Sequence, residues 1–228
     1  MNSKLAGAAL AFCVLAQGGQ AAAANLLTNG DFEDGPASFG TGSSAYYRGI
    51  PTGWSGVAGY DVVDIVEDGY TQGPPVLKTA ESGTHFLDMN GEGSSGAISQ
   101  TISGLTAGSI LDLSFWTTKW ATNSVSGAVQ YAFYDAVTNA DLGHGGLFVG
   151  SDWAQFTTSS AAITGTSVRL VLSGTTAFQA GPGLDNVVLT SRDAVGGVPE
   201  PATWGLMIMG FGGIGAILRR RQGAPAIA

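Results

Sequence analysis

The 228-residue sequence is 44% hydrophobic and only 11% charged, and 36 of its residues are glycine. This hydrophobic content excludes a chain too polar to bury a core. Short runs of Val, Thr and aromatic residues between glycines favour β-strands over helices. Residues 25–190 hold fifteen acidic and four basic residues, a balance of −11. Such a surface excludes nucleic acid and anionic membranes as partners but tolerates neutral sugars and divalent cations.

Residues 1–24 have the pattern of a signal peptide. Lys4 gives a positive start, the apolar run Leu5 to Ala16 follows, and Ala22 to Ala24 are small residues that a signal peptidase accepts. We therefore predict export, with cleavage before Asn25. The apolar run is too short for a permanent membrane anchor. It contains the single cysteine, Cys13, so the mature protein is predicted to have no disulfide.

Seven segments after residue 84 have the length and composition of strands. They are His85–Met89, Ala97–Ile102, Ile110–Thr117, Ala128–Tyr134, Trp153–Thr158, Thr166–Ser173 and Asp185–Leu189. Every second residue is apolar in Leu111–Phe115 and Val168–Leu172, which places these side chains on one sheet face. Ser103-Gly104 and Ala107-Gly108 predict turns. Residues 25–190 are thus predicted to form an all-β sandwich, with barrel closure as the alternative.

The last part of the chain is typical of a linker followed by a short hydrophobic helix. Residues 191–198 suit a flexible linker, and Pro199-Glu200-Pro201 cannot continue a helix. Residues 202–218 are apolar, and as a helix they rise about 25 Å, at the short end for crossing a membrane. Arg219, Arg220 and Arg221 favour the cytoplasmic side, so the folded domain is predicted to lie outside.

Residues 199–222 resemble the PEP-CTERM sorting signal, in its proteobacterial variant. The resemblance rests on Pro199, Glu200, Pro201 and Trp204, followed by the apolar stretch and the three arginines. It implies recognition and cleavage by an exosortase, a membrane transpeptidase. The chain would then be anchored in the inner membrane in transit, through its C-terminal helix, before it reaches the outer surface or the extracellular matrix. An ordinary C-terminal anchor is the alternative.

Residues 25–190 also resemble galactose-binding-like jelly rolls. The matching motifs, in the order of that family, are Asn25–Glu33, Gly53-Trp54, Gly83–Asp88, Ile98–Ile102 and Gly183–Val187. The resemblance implies a jelly-roll β-sandwich related to many carbohydrate-binding modules, although that fold has many roles. It further implies that Glu33 and Asp185 approach each other and share a structural calcium with backbone carbonyls. The alternative is that both carboxylates accept hydrogen bonds from backbone amides.

Aromatic residues outside the strands are candidates for stacking on sugar rings. We predict Trp120, Tyr60 and Tyr70 as ligand-binding residues, with Trp120 as the first choice because it follows a strand. In contrast, Trp54, Trp116 and Trp153 are predicted to pack in the core.

Motifs for catalysis are lacking in the sequence. His85 is predicted in a strand and His144 in a glycine-rich turn, and neither has a second histidine at the spacing of metal ligands. There is no Gly-x-Ser-x-Gly motif, and no two carboxylates stand out as the pair that a glycosidase needs. The sequence therefore predicts a non-catalytic protein that binds extracellular polysaccharide. A structural or adhesive surface protein without a ligand site is the alternative, and a secreted hydrolase is the least favoured.

Overall fold

A computed structural model describes residues 23–35, 46–68, 79–90, 94–119, 127–175, 181–193, 205 and 208–211. Nearly all of the predicted signal peptide lies outside these residues, as do most of the predicted linker and sorting signal. The predicted membrane helix at 202–218 also lies mostly outside them. Within the described residues, no helix is long and apolar enough to cross a membrane.

The described residues form eleven strands, and each ladder between them is antiparallel. In chain order they are β1 (Tyr46–Gly49), β2 (Ser55–Gly56), β3 (Val63–Glu67), β4 (His85–Asp88), β5 (Ala97–Ser103), β6 (Ser109–Lys119), β7 (Ala128–Asp135), β8 (Asp141–Phe148), β9 (Ala154–Ser159), β10 (Ser167–Gly174) and β11 (Pro182–Asp193). They make a six-stranded sheet, β1-β3-β4-β11-β6-β9, and a five-stranded sheet, β2-β5-β10-β7-β8. The sheets remain separate and open, so the predicted jelly-roll sandwich is confirmed and the barrel alternative is not.

Strands β6 and β10 supply much of the core between the sheets. The alternating residues predicted to face inward, Leu111 to Phe115 on β6 and Val168 to Leu172 on β10, are almost completely buried in one hydrophobic cluster. Burying one such side chain stabilises a fold by about 1.5–3 kcal/mol. The predicted turns between β5 and β6 are also confirmed, because Gly104 and Gly108 have φ angles of 78° and 91°, which glycine adopts without strain.

The prediction for His144 is wrong, because this residue lies within strand β8 rather than in a turn. Glycines beside His144 suggested a turn, yet β8 pairs with β7 over its whole length, with His144 opposite Ala132. A Cβ atom on Gly145 would lie 2.8 Å from the Tyr131 hydroxyl. At this position glycine therefore makes room for a neighbouring side chain.

Strand β3 was not predicted, because its sequence Val-Asp-Ile-Val-Glu does not alternate strictly between apolar and polar residues. Both of its faces are covered. Val63 and Ile65 join the main core, whereas Val66 packs with Phe86 in a second cluster. Trp153 covers this second cluster and meets Phe86 edge to face, with ring centroids 5.7 Å apart. Residues on both faces of β3 are therefore buried.

Candidate functional site

The outer face of the five-stranded sheet carries a groove of about 370 Å³. Gln130, Ala132 and Tyr134 of β7 line the groove and alternate with Val129 and Phe133, which are fully buried in the core. Since successive residues of a strand point to opposite faces, these three side chains point away from the core. The groove is thus a surface feature laid across the strands.

Small residues on β10 and on the edge strand β8 lie beside Gln130 in the groove. Ser173 of β10 lies opposite Gln130 of β7, and Gln130 in turn lies opposite Gly146 of β8. A Cβ atom on Gly146 would come within 3.0 Å of the Val129 carbonyl oxygen. Glycine at this position therefore avoids a close contact with β7, and the amide of Gln130 can donate and accept hydrogen bonds in the groove.

Three tyrosines line the groove. Tyr131 packs against the core, whereas Tyr60 and Tyr134 do not. Tyr60, one of the predicted ligand-binding residues, is 45% exposed and lines the groove from the loop before β3. Tyr134 was not predicted. It lines the groove from β7, and the guanidinium of Arg169 lies 5.2 Å from the centroid of its ring. The predicted residues Trp120 and Tyr70 lie outside the described residues.

The groove also contains an oriented histidine. His144 lines it from β8, and its Nδ1 lies 2.6 Å from Oδ2 of Asp141. Hydrogen bonds from the Gly143 backbone N–H and from the His144 ring lower the pKa of Asp141, so this carboxylate is charged and accepts from Nδ1–H. In the neutral imidazole, Nε2 is then a hydrogen-bond acceptor.

The predicted metal residue Glu33 lies elsewhere, against the loop that leads into β4. Its Oε1 accepts from the backbone N–H groups of Thr84 and His85, at 2.7 and 2.8 Å. Its Oε2 lies 3.0 Å from both the Thr84 hydroxyl and Nδ1 of His85. Burial alone would raise the pKa of Glu33, but these hydrogen bonds outweigh it and the pKa is lowered. A Cβ atom on Gly83 would overlap the Glu33 side chain.

Asp185 holds the other end of the same loop from β11. Its Oδ2 accepts from the backbone N–H groups of Glu81 and Ser82, at 2.8 and 2.9 Å, and its Oδ1 accepts from that of Asn186. The side chain is fully buried. Burial raises the pKa of Asp185 to about 7, although the three N–H groups favour the charged form.

This arrangement bears on the predicted calcium ion. A carboxylate has about four acceptor positions; four donors surround Glu33 and three surround Asp185. Calcium needs six to eight oxygen ligands, whereas these oxygens face hydrogen-bond donors. No group of three or more acidic, histidine or cysteine residues suited to a metal occurs in the described ranges. The arrangement fits the amide-binding alternative, and calcium stays a prediction.

A family model for a protein of unknown function, DUF642, matches residues 25–190. The chain belongs to the DUF642 family. In this DUF642 protein a second model, the PEP-CTERM protein-sorting motif, matches residues 197–222, so the predicted sorting signal is confirmed. That motif indicates an exported protein. No curated protein matches the chain.

Several solved structures are similar to this DUF642 protein. TmCBM61, solved in complex with β-1,4-galactotriose, has 17% identity, a TM-score of 0.49, and coverage of 74% of this chain and 99% of its own. The CBM22-1 xylan-binding domain of Paenibacillus barcinonensis Xyn10C has 16% identity and a TM-score of 0.49, and the match covers 76% of this chain and 98% of that domain. A family 16 carbohydrate-binding module has 20% identity and a TM-score of 0.47, and the match covers 73% of this chain and 99% of that module.

The groove residues that were not predicted share one cause. Tyr134 and His144 lie on β7 and β8, and both line the groove because these two strands pair across the hairpin. The sequence offered a usable signal, since Asp141 and His144 are three residues apart. That signal becomes visible only once β8 is recognised as a strand.

Proposed function

We propose that this protein binds extracellular polysaccharide in the groove of the five-stranded sheet and does not catalyse a reaction there. The observation that carries the proposal is the composition of the groove. The ring of Tyr60 offers a flat face for a sugar ring, and the ring of Tyr134 carries the guanidinium of Arg169. Gln130, Ser173 and His144 supply polar groups to orient hydroxyls. Small residues between them leave room for an extended chain.

The same residues argue against hydrolysis. Glycoside hydrolysis generally uses two carboxyl groups that flank the scissile bond, and no carboxylate is among the described residues that line the groove. The nearest candidate, Asp141, is occupied by the Gly143 N–H and the His144 ring. Binding without turnover therefore accounts better for this set of side chains.

Binding is tested with a glycan array and the full chain, purified in a mild detergent. Tyr60→Ala is expected to weaken binding to any retained glycan by about tenfold, because one stacked ring contributes roughly 1–2 kcal/mol. Tyr47→Ala is the matched control, since Tyr47 is 41% exposed but lies on β1 of the other sheet. If wild type retained no glycan, or both variants weakened binding equally, the protein would be a surface protein without this ligand site.

We also propose that an exosortase removes the tail near Pro199-Glu200-Pro201 after export, with the signal peptide removed before Asn25. The matched sorting motif supports this proposal. Mass spectrometry of the surface-exposed protein from its native host is expected to find a C-terminus near these prolines. A surface protein that retained Arg219 to Arg221 would contradict it.

A further inference from the structure

Charge is unevenly distributed between the two sheets. The strands of the six-stranded sheet carry six acidic residues, Asp64, Glu67, Asp88, Asp112, Asp185 and Asp193. The strands of the five-stranded sheet carry only Asp135 and Asp141, both where β7 and β8 join. In a domain with a balance of −11, the groove therefore lies on the sheet whose strands carry fewer carboxylates.

Arg169 sits on that sheet and differs from the other described arginines. Arg48 and Arg192 form ion pairs with Asp61 and Asp112, at 2.6 and 2.7 Å. No carboxylate lies within ion-pair distance of Arg169 in the part of the chain that the structure describes. Instead, its Nη2 donates to the neutral amide oxygen of Asn139 at 2.7 Å, and its guanidinium stacks on Tyr134.

The position of Arg169 places its charge beside the groove. Arg169 is two residues before Val171 on β10, and Val171 lines the groove. Residues two apart on a strand share a face, and Tyr134, the ring under the guanidinium, also lines the groove. The stack and the Asn139 contact orient the guanidinium, and only one of its five N–H groups is used by Asn139.

We infer that the groove selects polysaccharides that bear carboxylates and that Arg169 is the residue that determines this specificity. The inference rests on the proposed binding function of the same groove. The planar guanidinium matches a carboxylate with two parallel hydrogen bonds, and no neighbouring acid competes for it among the described residues. The net negative charge of the domain opposes the approach of an anionic polymer. Selectivity therefore comes from short-range contact with Arg169.

The test compares acidic oligosaccharides with uncharged copies of themselves. Hexamers of galacturonate, glucuronate and mannuronate, and the methyl ester of each, are titrated into the full chain in the presence of EDTA. Wild type is expected to bind at least one acid hexamer about tenfold or more tightly than its ester, as a charge-assisted hydrogen bond predicts. Equal affinities for every acid and its ester would overturn the inference.

Variants assign the preference to Arg169. Arg169→Gln is expected to bind acid and ester equally, whereas Arg169→Lys keeps part of the preference because it keeps the charge. Arg192→Gln removes the same charge from the other sheet and is expected to keep the full preference. Persistence of the preference in Arg169→Gln would overturn the assignment. If Arg169→Gln fails to fold, the inference is still tested in two ways. These are the partial preference of Arg169→Lys and the affinities of the wild type for each acid and its ester.

The outcomes separate this inference from the proposed function. If the protein binds neutral glycans, and binds each ester as tightly as its acid, the proposed binding function stands but the role of Arg169 is refuted. A protein that binds neither these hexamers nor any glycan on an array refutes both.

Discussion

The outer faces of the two sheets contrast in how they use polar and aromatic side chains. On the six-stranded sheet, Trp153 covers Phe86 and donates its indole N–H to the Thr79 carbonyl oxygen at 2.9 Å, while Glu33 and Asp185 hold the adjoining loop. On the five-stranded sheet, tyrosine, glutamine and histidine residues line an open groove, whereas the described residues that line a groove on the six-stranded sheet include no aromatic residue. The contrast suggests that the first face contributes stability and the second binding, and substitutions can separate these contributions.

The largest effect on stability is expected from Asp185→Ala. This change removes the acceptor for three backbone N–H groups at a fully buried site. Unsatisfied buried donors cost about 1–3 kcal/mol each. Because removal of a buried carboxyl also relieves its desolvation, we expect a net loss of about 2–4 kcal/mol in the free energy of unfolding, measured by urea denaturation.

Asp112→Ala is the control for that substitution. Asp112 belongs to the same sheet and pairs with Arg192 and Ser159 at the surface. Exposed ion pairs contribute about 0–1 kcal/mol, so this variant is expected to lose less than Asp185→Ala. Similar losses in the two variants would show that Asp185 is not a special anchor of the loop.

The pH dependence of stability is the next effect, because the two anchoring carboxylates have opposite shifts. The pKa of Asp185 is raised from 3.8 to about 7, so the folded state holds a proton that the unfolded state releases. Its contribution to stability is present in full below about pH 4 and is lost as the pH rises towards 7. The free energy of unfolding changes through this group by at most about 1.4 kcal/mol per pH unit.

The pKa of Glu33 is lowered, so its contribution is present above its ordinary pKa and is lost as the pH falls. Between pH 4 and 8, the pH dependence of the free energy of unfolding, measured by urea denaturation, therefore comes mainly from Asp185 rather than from Glu33. Asp185→Asn, which cannot ionise, is expected to flatten the profile in this window. An unchanged profile in this variant would assign the pH dependence to other groups.

On the groove side, Gln130→Ala is expected to change binding and not stability. Gln130 is exposed on β7 and lines the groove, so its loss is expected to change the unfolding free energy by less than about 0.5 kcal/mol. Loss of one neutral hydrogen bond weakens glycan affinity by about three- to tenfold. Gln155→Ala, at an exposed position of β9 on the other sheet, is the control and is expected to leave affinity unchanged.

The fold was more predictable from the sequence than the groove was. Alternation in β6 and β10 predicted their inward faces, because both strands have one face against the core. Strand β3 lacks strict alternation of apolar and polar residues, because residues on both of its faces are buried. Strand β8 was not predicted, because its glycines suggested a turn. The jelly-roll motifs indicated that Glu33 and Asp185 lie close together, and both side chains accept hydrogen bonds from the same loop, residues 81–85. Their donors, in contrast, depend on backbone directions that the sequence does not reveal.

The smallest expected effect is that of calcium on thermal stability. The jelly-roll resemblance predicted a calcium ion at Glu33 and Asp185, whereas their oxygens already accept seven hydrogen bonds in this structure. A site at 100 times its dissociation constant would stabilise the fold by about 2.7 kcal/mol, which corresponds to a rise in Tm of roughly 5–10 °C for a domain of this size.

From the hydrogen bonds we expect calcium to raise Tm by less than about 1 °C, with EDTA giving no decrease. Glu33→Gln separates the two interpretations further. Its amide group donates where the carboxylate accepted, so the variant is expected to lose stability equally with and without calcium. A rise of several degrees with calcium in wild type, absent in Glu33→Gln, would instead establish the metal site and require the loop at residues 81–85 to rearrange around it.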